Sequence, residues 1–553
     1  MACRPPPPEE NFMNAFKTFM ACVAFLFGTV SGGASAAADP LSQVHRLPPS
    51  LEQKVQEFRV ALQAGGYEVA QGHWTLWGVD DCRFPLQTIG HCYGNNPTAP
   101  YVVAMLPHWN DEFVDQALHR TLTDDWGNVS PNYRLGEREA LVVLAELPPP
   151  ARYFGIQSNV FTREAVLNPK DPVYRLLNEH PGLKELQGIV FLGSPNPDRR
   201  MLVASIGNST NNVVIEQESK ENWGRERFFV VTPDEAMATA MTNALVGLKG
   251  VDANQVFTEP VSPKLARVGY GRQADDFITY IRYSMPNDIA RGRQWREQLP
   301  LTILRVRDTK GGQAIKPFDI PQYEEKVANT DERTLKGDLS RLVAAVKEYW
   351  GQTGDGNSLD FRSLSLWVDL IVQHCLGYDG LPKPESWITL PRGPMNCLGD
   401  GQDADYQISS GTFRLDDDQV IAVVGTLGTK TGNATYTSLS VNWFPELVGV
   451  ANRDDPVLEE SAKKFKDKLS SPDLYTKFYV YYFARDCTGL YPWCQEISRT
   501  LIPRGDTIKF VQRNYVNPPS ELYPDSRRGP DPRKILNPVS IEFDGSEGKR
   551  PAM

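Results

Sequence analysis

The chain has 553 residues, with 68 acidic and 58 basic side chains and a formal charge of −10. No stretch clusters Lys and Arg as phosphate binding demands, so the composition speaks against nucleic acid as a partner. Hydrophobic residues at 41% and aromatics at 10% fit packed cores rather than disorder, and 43 Gly with 43 Pro imply many turns.

Phe19 to Val30 is an apolar run too short to span a bilayer, preceded by Lys17 and followed by "ASAAADP". That is the layout of an export signal, 1–38, with cleavage after Ala36 or Ala38. Met13 is an alternative start, because Glu9 and Glu10 make a poor leader. No later stretch reaches the roughly 20 apolar residues of a spanning helix. The expectation is a secreted or periplasmic chain with no membrane span after cleavage. Setting aside Cys3 and Cys22 leaves six cysteines, an even number that reads as disulfides outside the cytoplasm. Local spacing pairs Cys82 with Cys92, Cys375 with Cys397 and Cys487 with Cys494.

The first helix is expected over Leu51 to Ala64, with Ser50 and Gln53 as a capping box, Leu51, Val55, Phe58 and Leu62 on one face, and Gly65-Gly66 as the stop. Strand patterns follow at 101–106, 139–147, 152–161, 188–193, 201–207, 213–217 and 227–231. A helix opens at Thr232-Pro233-Asp234-Glu235 and carries Met237, Met241, Leu245 and Leu248 as a core stripe to Gly250. "ADDFITYIRYSM" (274–285) and "DIARGRQWREQL" (288–299) read as helices, and 301–308 as a strand. A polar stretch, 309–338, is the expected linker between an α+β domain, 39–308, and a mainly-β, sandwich-like domain, 339–553. The second half reads as a helix from Leu339 to Trp350, strands at 363–370, 419–427, 434–444, 477–484, 507–516 and 539–543, and an amphipathic helix from Pro456 to Leu469. The fold class is α+β in two domains.

The chain has no HExxH and no GxSxG. Gly269 to Ala274 matches a dinucleotide loop only in letters and reads as a turn leading into a helix, so no nucleotide cofactor is expected. "GTLGTKTG" (425–432) reads as a hairpin, not a phosphate loop. His108 and His119 lack a third metal ligand, and Trp74, Trp77, Trp109 and Trp126 read as core or as sugar-stacking rings. Asn128, Asn208 and Asn433 head glycosylation sequons.

"CLGDGQDADY" (397–406) is the main candidate site. Asp400, Asp403 and Asp405 have oxygen-ligand spacing on a glycine-bearing surface loop, for which calcium is the natural cation; a plain turn is the competing account. Asp403 and Asp405 are also candidate acid–base carboxylates, with Tyr436 on the strand entrance at 434–444. Two functions remain open. One is an exported hydrolase or lyase acting on an extracellular small molecule or polysaccharide; the other is a non-catalytic binding protein with a β-rich recognition face.

Overall fold

The computed structural model describes residues 47–78, 95–118, 129–170, 172–179, 187, 190–191, 193–218, 222–311, 314–321, 325–351, 358–363, 376, 395–399, 402–444, 446 and 448–545. The architecture is mixed α+β, rich in strand, around two curled sheets. The main path of the first sheet runs Val256–Pro260, Glu226–Thr232, Glu139–Glu146, Leu301–Asp308, Tyr67–Trp77, Tyr101–Pro107, Asp276–Pro286, Ala151–Glu164, Arg199–Ser205. The second runs Val448–Asp454, Tyr436–Phe444, Thr507–Tyr515, Ala404–Ser409, Ser358–Ser363, Val539–Asp544, Gln419–Thr426, Phe478–Ala484, Cys494–Glu496.

The helix Pro49–Ala64 buries Leu51, Val55, Phe58 and Leu62, as their spacing requires. Its start differs from expectation. Proline occupies the first turn, where its fixed φ suits a helix, and the Ser50 hydroxyl donates to Glu226 at 2.8 Å instead of capping. Gly66, at φ 84°, turns the chain into the first strand. The helix Glu235–Val246 is capped by Asp234, whose carboxylate accepts from the amides of Ala236 and Met237, so the cap lies two residues beyond Thr232. Both helices pack on one core with Val142, Leu144, Phe228 and Val230. Each such side chain contributes about 1.5–3 kcal/mol by leaving water.

Several expected elements come out otherwise. Asp276–Pro286 is a strand, not a helix, and nine of its residues are buried. Asn212–Glu218 is a helix where a strand was expected, because the Asn211 side chain accepts from the amides of Val213 and Val214 at 3.1 and 3.3 Å. Val190 is helical rather than strand, and the run at 363–370 lies almost wholly outside the described residues. The expected helix from Pro456 to Leu469 is a short turn, Asp455–Leu458, followed by a 3-10 segment, Lys463–Lys468. Gly269 to Ala274 is a turn, but it leads into a strand.

The hairpin at 425–444 is not one. Gln419–Thr426 pairs with Phe478–Ala484 and Val539–Asp544, while Tyr436–Phe444 pairs with Val448–Asp454 and Thr507–Tyr515. The chain crosses between the two arms of the sheet through the turn Gly428–Thr431. The expected linker is stitched down at both ends. The Lys316 amide donates to Asp234 at 2.6 Å. The buried Glu332 accepts from the hydroxyls of Thr426 and Thr431, the Asn433 amide and the Leu536 backbone N–H, at 2.6–3.0 Å. The described residues fall in one compact unit that contains both sheets. Cys487 and Cys494 form a disulfide, and Cys397 is disulfide-bonded; Cys82, Cys92 and Cys375 lie outside the described residues. No described helix is long and apolar enough to cross a membrane.

Candidate functional site

Asp403 and Tyr436, two of the residues singled out in the sequence, meet first-sheet residues where the two sheets face one another. Asp403 immediately precedes the Ala404–Ser409 strand and is 1% exposed. One carboxylate oxygen accepts from Arg282 at 3.0 Å. The other accepts from the Tyr153 hydroxyl at 3.1 Å and the Ser209 hydroxyl at 2.7 Å. Arg282 and Tyr153 stand on neighbouring strands of the first sheet, where Arg282 pairs with Gly155. A Cβ at Gly155 would lie 3.0 Å from the Asp403 carboxylate, so a larger residue there would push the carboxylate back by a few tenths of an ångström. The acidic loop is therefore not a surface feature at these positions: Asp403 and Asp405 are both buried. Asp400 lies outside the described residues.

Arg282 is enclosed by phenols. It donates to Tyr406 at 3.1 Å, and its guanidinium lies 5.2 Å from the Tyr153 ring and 5.9 Å from those of Tyr280 and Tyr515. Burial alone would weaken its hold on the proton. The surrounding phenols and the Asp403 carboxylate reverse that and lift Arg282 above its ordinary value. Burial likewise raises Tyr153 and Tyr436, so both keep their protons at neutral pH.

Tyr436 joins the same cluster through a column of rings. Tyr153 and Tyr515 are 4.3 Å apart, and Tyr515 stacks on Tyr436 at 4.9 Å. The Tyr436 hydroxyl donates to Asp454 and receives the Asn96 amide at 3.2 Å. Thr98 donates to Asp454 at 2.9 Å, as does Asn452 at 2.7 Å. Asn95 clasps Gly449, accepting its amide at 2.8 Å, and a Cβ on Gly449 would strike the Asn95 carbonyl. Arg152 reaches Asp455 at 2.5 Å.

This seam is made of polar groups from both sheets, and some keep unused valences. Among the described residues, Gln157 Oε1, Arg282 Nε and Asn452 Oδ1 are buried without a hydrogen-bond partner. Two non-glycine residues bordering the seam, Val203 and Val516, hold φ near 40°. That is a costly setting for a β-branched residue, and the Val516 amide donates to the Asp403 carbonyl at 2.7 Å.

Other singled-out residues have structural work. Trp74 is core, and Trp109 lies 5.1 Å and 4.3 Å from the guanidiniums of Arg305 and Arg307. Trp126, His119 and Asn128 lie outside the described residues. Asn433 is fully buried with its amide on Glu332, which leaves no room for a glycan in the folded chain. No group of three or more His, Cys, Asp or Glu among the described residues is arranged to hold a metal. Sequence reasoning missed Arg282, Tyr153, Asn96 and Asp454. The "NNPT" run at 95–98 consists of turn-forming residues whose side chains reach across to the other sheet.

No protein-family model matches the chain, and no curated protein matches it significantly. A solved structure of an uncharacterized protein from Burkholderia cenocepacia aligns over 92% of this chain and 91% of its own, at 10% identity and a TM-score of 0.34. At that score the likeness carries no argument.

Proposed function

We propose that the chain is an exported binding protein that takes a small, neutral, hydroxyl-bearing molecule of the saccharide class at the seam between its sheets. The observation behind this reading is the set of unsatisfied polar atoms on Gln157, Arg282 and Asn452, beside side chains that bond across the two sheets. A buried group left unpaired costs about 1–3 kcal/mol, and hydroxyls that both donate and accept would answer an amide oxygen and a guanidinium N–H alike. Tyrosine rings beside them suit the apolar face of a sugar. Arg282 is already countered by Asp403, so an anion would find little net charge.

The alternative is a hydrolase or lyase using Asp403, Asp405 and Tyr436. It has less behind it, because three donors already hold both Asp403 oxygens. The test is thermal unfolding of the mature protein with a panel of neutral mono- and disaccharides at millimolar concentration. A bound sugar raises the melting temperature by mass action, and Gln157→Leu abolishes the rise. No rise with any sugar, and ordered waters on those three atoms in a crystal structure, would remove the reading.

A further inference from the structure

Arg152 and Asp455 form an ion pair from opposite sides of the seam, and the two are unequally buried. The Arg152 side chain is 37% exposed, while that of Asp455 is 0% exposed. The arginine keeps its water; the carboxylate gives its up. Asp455 opens the turn that follows the edge strand Val448–Asp454, and the charges about it are accounted for. Asp454 is held by Thr98, Asn452 and Tyr436. Glu459 is countered by Lys430 at 2.9 Å, and Arg453 donates to Tyr481 at 3.0 Å. Asp455 Oδ1 and the neighbouring Thr429 hydroxyl are both buried without a hydrogen bond of normal geometry.

We infer that Arg152 and Asp455 form a pH-sensitive latch on the seam, tightened by acid and loosened as the carboxylate ionises. As regulation of the site, this rests on the seam being where ligand binds. Opening the seam lets water reach Asp455. That gain is large when the side chain is charged and small when it is neutral. The closed form suits the acid because the Asp455 side chain is wholly out of water there, and Arg152 and Thr429, which favour the carboxylate, offset only part of that cost. Burial, the largest influence, lifts the Asp455 pKa to about 6; Arg152 and Thr429 pull it down, and Asp454 and Glu459 push it up. Opening is therefore favoured as pH climbs from the free-carboxylate value towards 6, and levels off above it.

Amide hydrogen exchange tests this without any ligand. The amides of Gly449 and Gly399 bond to Asn95 Oδ1 at 2.8 Å and to the Val203 carbonyl at 2.9 Å. Val143, paired with Ile303 inside the first sheet, reports global unfolding. With intrinsic exchange corrected and Glu259→Gln as background, Gly449 and Gly399 should be less protected than Val143 and should lose roughly tenfold in protection from pH 5 to pH 8; Val143 loses a similar factor, because global unfolding also frees Asp455. Asp455→Asn should flatten the change. Arg152→Gln should move its midpoint upward, and this variant carries the test if Asp455→Asn fails to fold. Seam amides indifferent to pH, or as strongly protected as Val143 at every pH, would overturn the latch. The sugar panel reads the ligand directly, so either result can fail without the other.

Discussion

Arg282 donates to Asp403 at 3.0 Å, across the two sheets, with both side chains almost wholly out of water. Each charge is tolerated there because the other is present and further valences reach Tyr153, Ser209 and Tyr406, although Arg282 Nε goes unmet. Asp403→Leu should cost about 3–5 kcal/mol, because it strands a buried guanidinium. Adding Arg282→Met should recover much of the loss. Urea unfolding of the two single variants and the double measures the coupling, and additive losses would mean that the pair is not a unit.

Glu259 predicts the pH dependence of stability. It accepts from the Ser158 amide at 2.8 Å and the Ser158 hydroxyl at 3.0 Å, yet burial lifts its pKa to about 7. A raised carboxyl pKa means that the folded state binds the proton more tightly than the unfolded chain. Stability is then greatest below the unfolded value near 4.5 and declines as pH rises towards 7. Between pH 5 and pH 8 the decline from this residue is about 2–3 kcal/mol. Glu259→Gln keeps an oxygen for the Ser158 amide and should flatten the dependence, with the variant more stable than the parent at pH 8. Denaturant midpoints at the two pH values decide it.

What the sequence disclosed followed from how plainly burial alternates. The helix Pro49–Ala64 has one wet face and one dry one, so Leu51, Val55, Phe58 and Leu62 declare it. Asp276–Pro286 is central, between Tyr101–Pro107 and Ala151–Glu164, and buried on both faces. Its Phe277, Ile278, Tyr280 and Ile281 therefore lack a period of two and imitate a helix. The candidate site was legible only in fragments. Asp403 and Tyr436 were visible as residues of interest, but Tyr153 lies 250 positions from Asp403 and Asn96 340 from Tyr436. Local spacing carries no record of pairings so distant. Nor could polar residues such as Asp403 be assigned to the interior, since carboxylates are buried only when a partner meets them.

The Cys487–Cys494 disulfide closes a separation of seven residues. Loop-closure entropy for so short a ring gives roughly 2–3 kcal/mol of stabilisation. Both sulfurs sit in the core beside Leu490 and Tyr482, so Cys487→Ala with Cys494→Ala keeps the site apolar. That variant should lose about this amount in urea, and reductant should then have no further effect through this bond. A parent protein unmoved by reductant while the double variant is destabilised would point to packing rather than the cross-link.

Calcium provides the sharpest test of "CLGDGQDADY". A calcium ion takes six to eight oxygens at close range from a flexible loop. Asp403 would have to release Arg282, Tyr153 and Ser209 to serve it, and the guanidinium would remain beside a divalent cation. Asp405 lies within the Ala404–Ser409 strand, opposite Asn514, where the backbone is committed to the ladder. The expected outcome is a melting temperature that is the same in millimolar calcium and in chelator. A rise with calcium that survives Asp403→Asn but disappears in Asp400→Asn would place a cation on the part of the loop before Asp403. A rise lost in Asp403→Asn would mean that the metal displaces Arg282, and the Arg282–Asp403 seam would then be the metal-free state of the site.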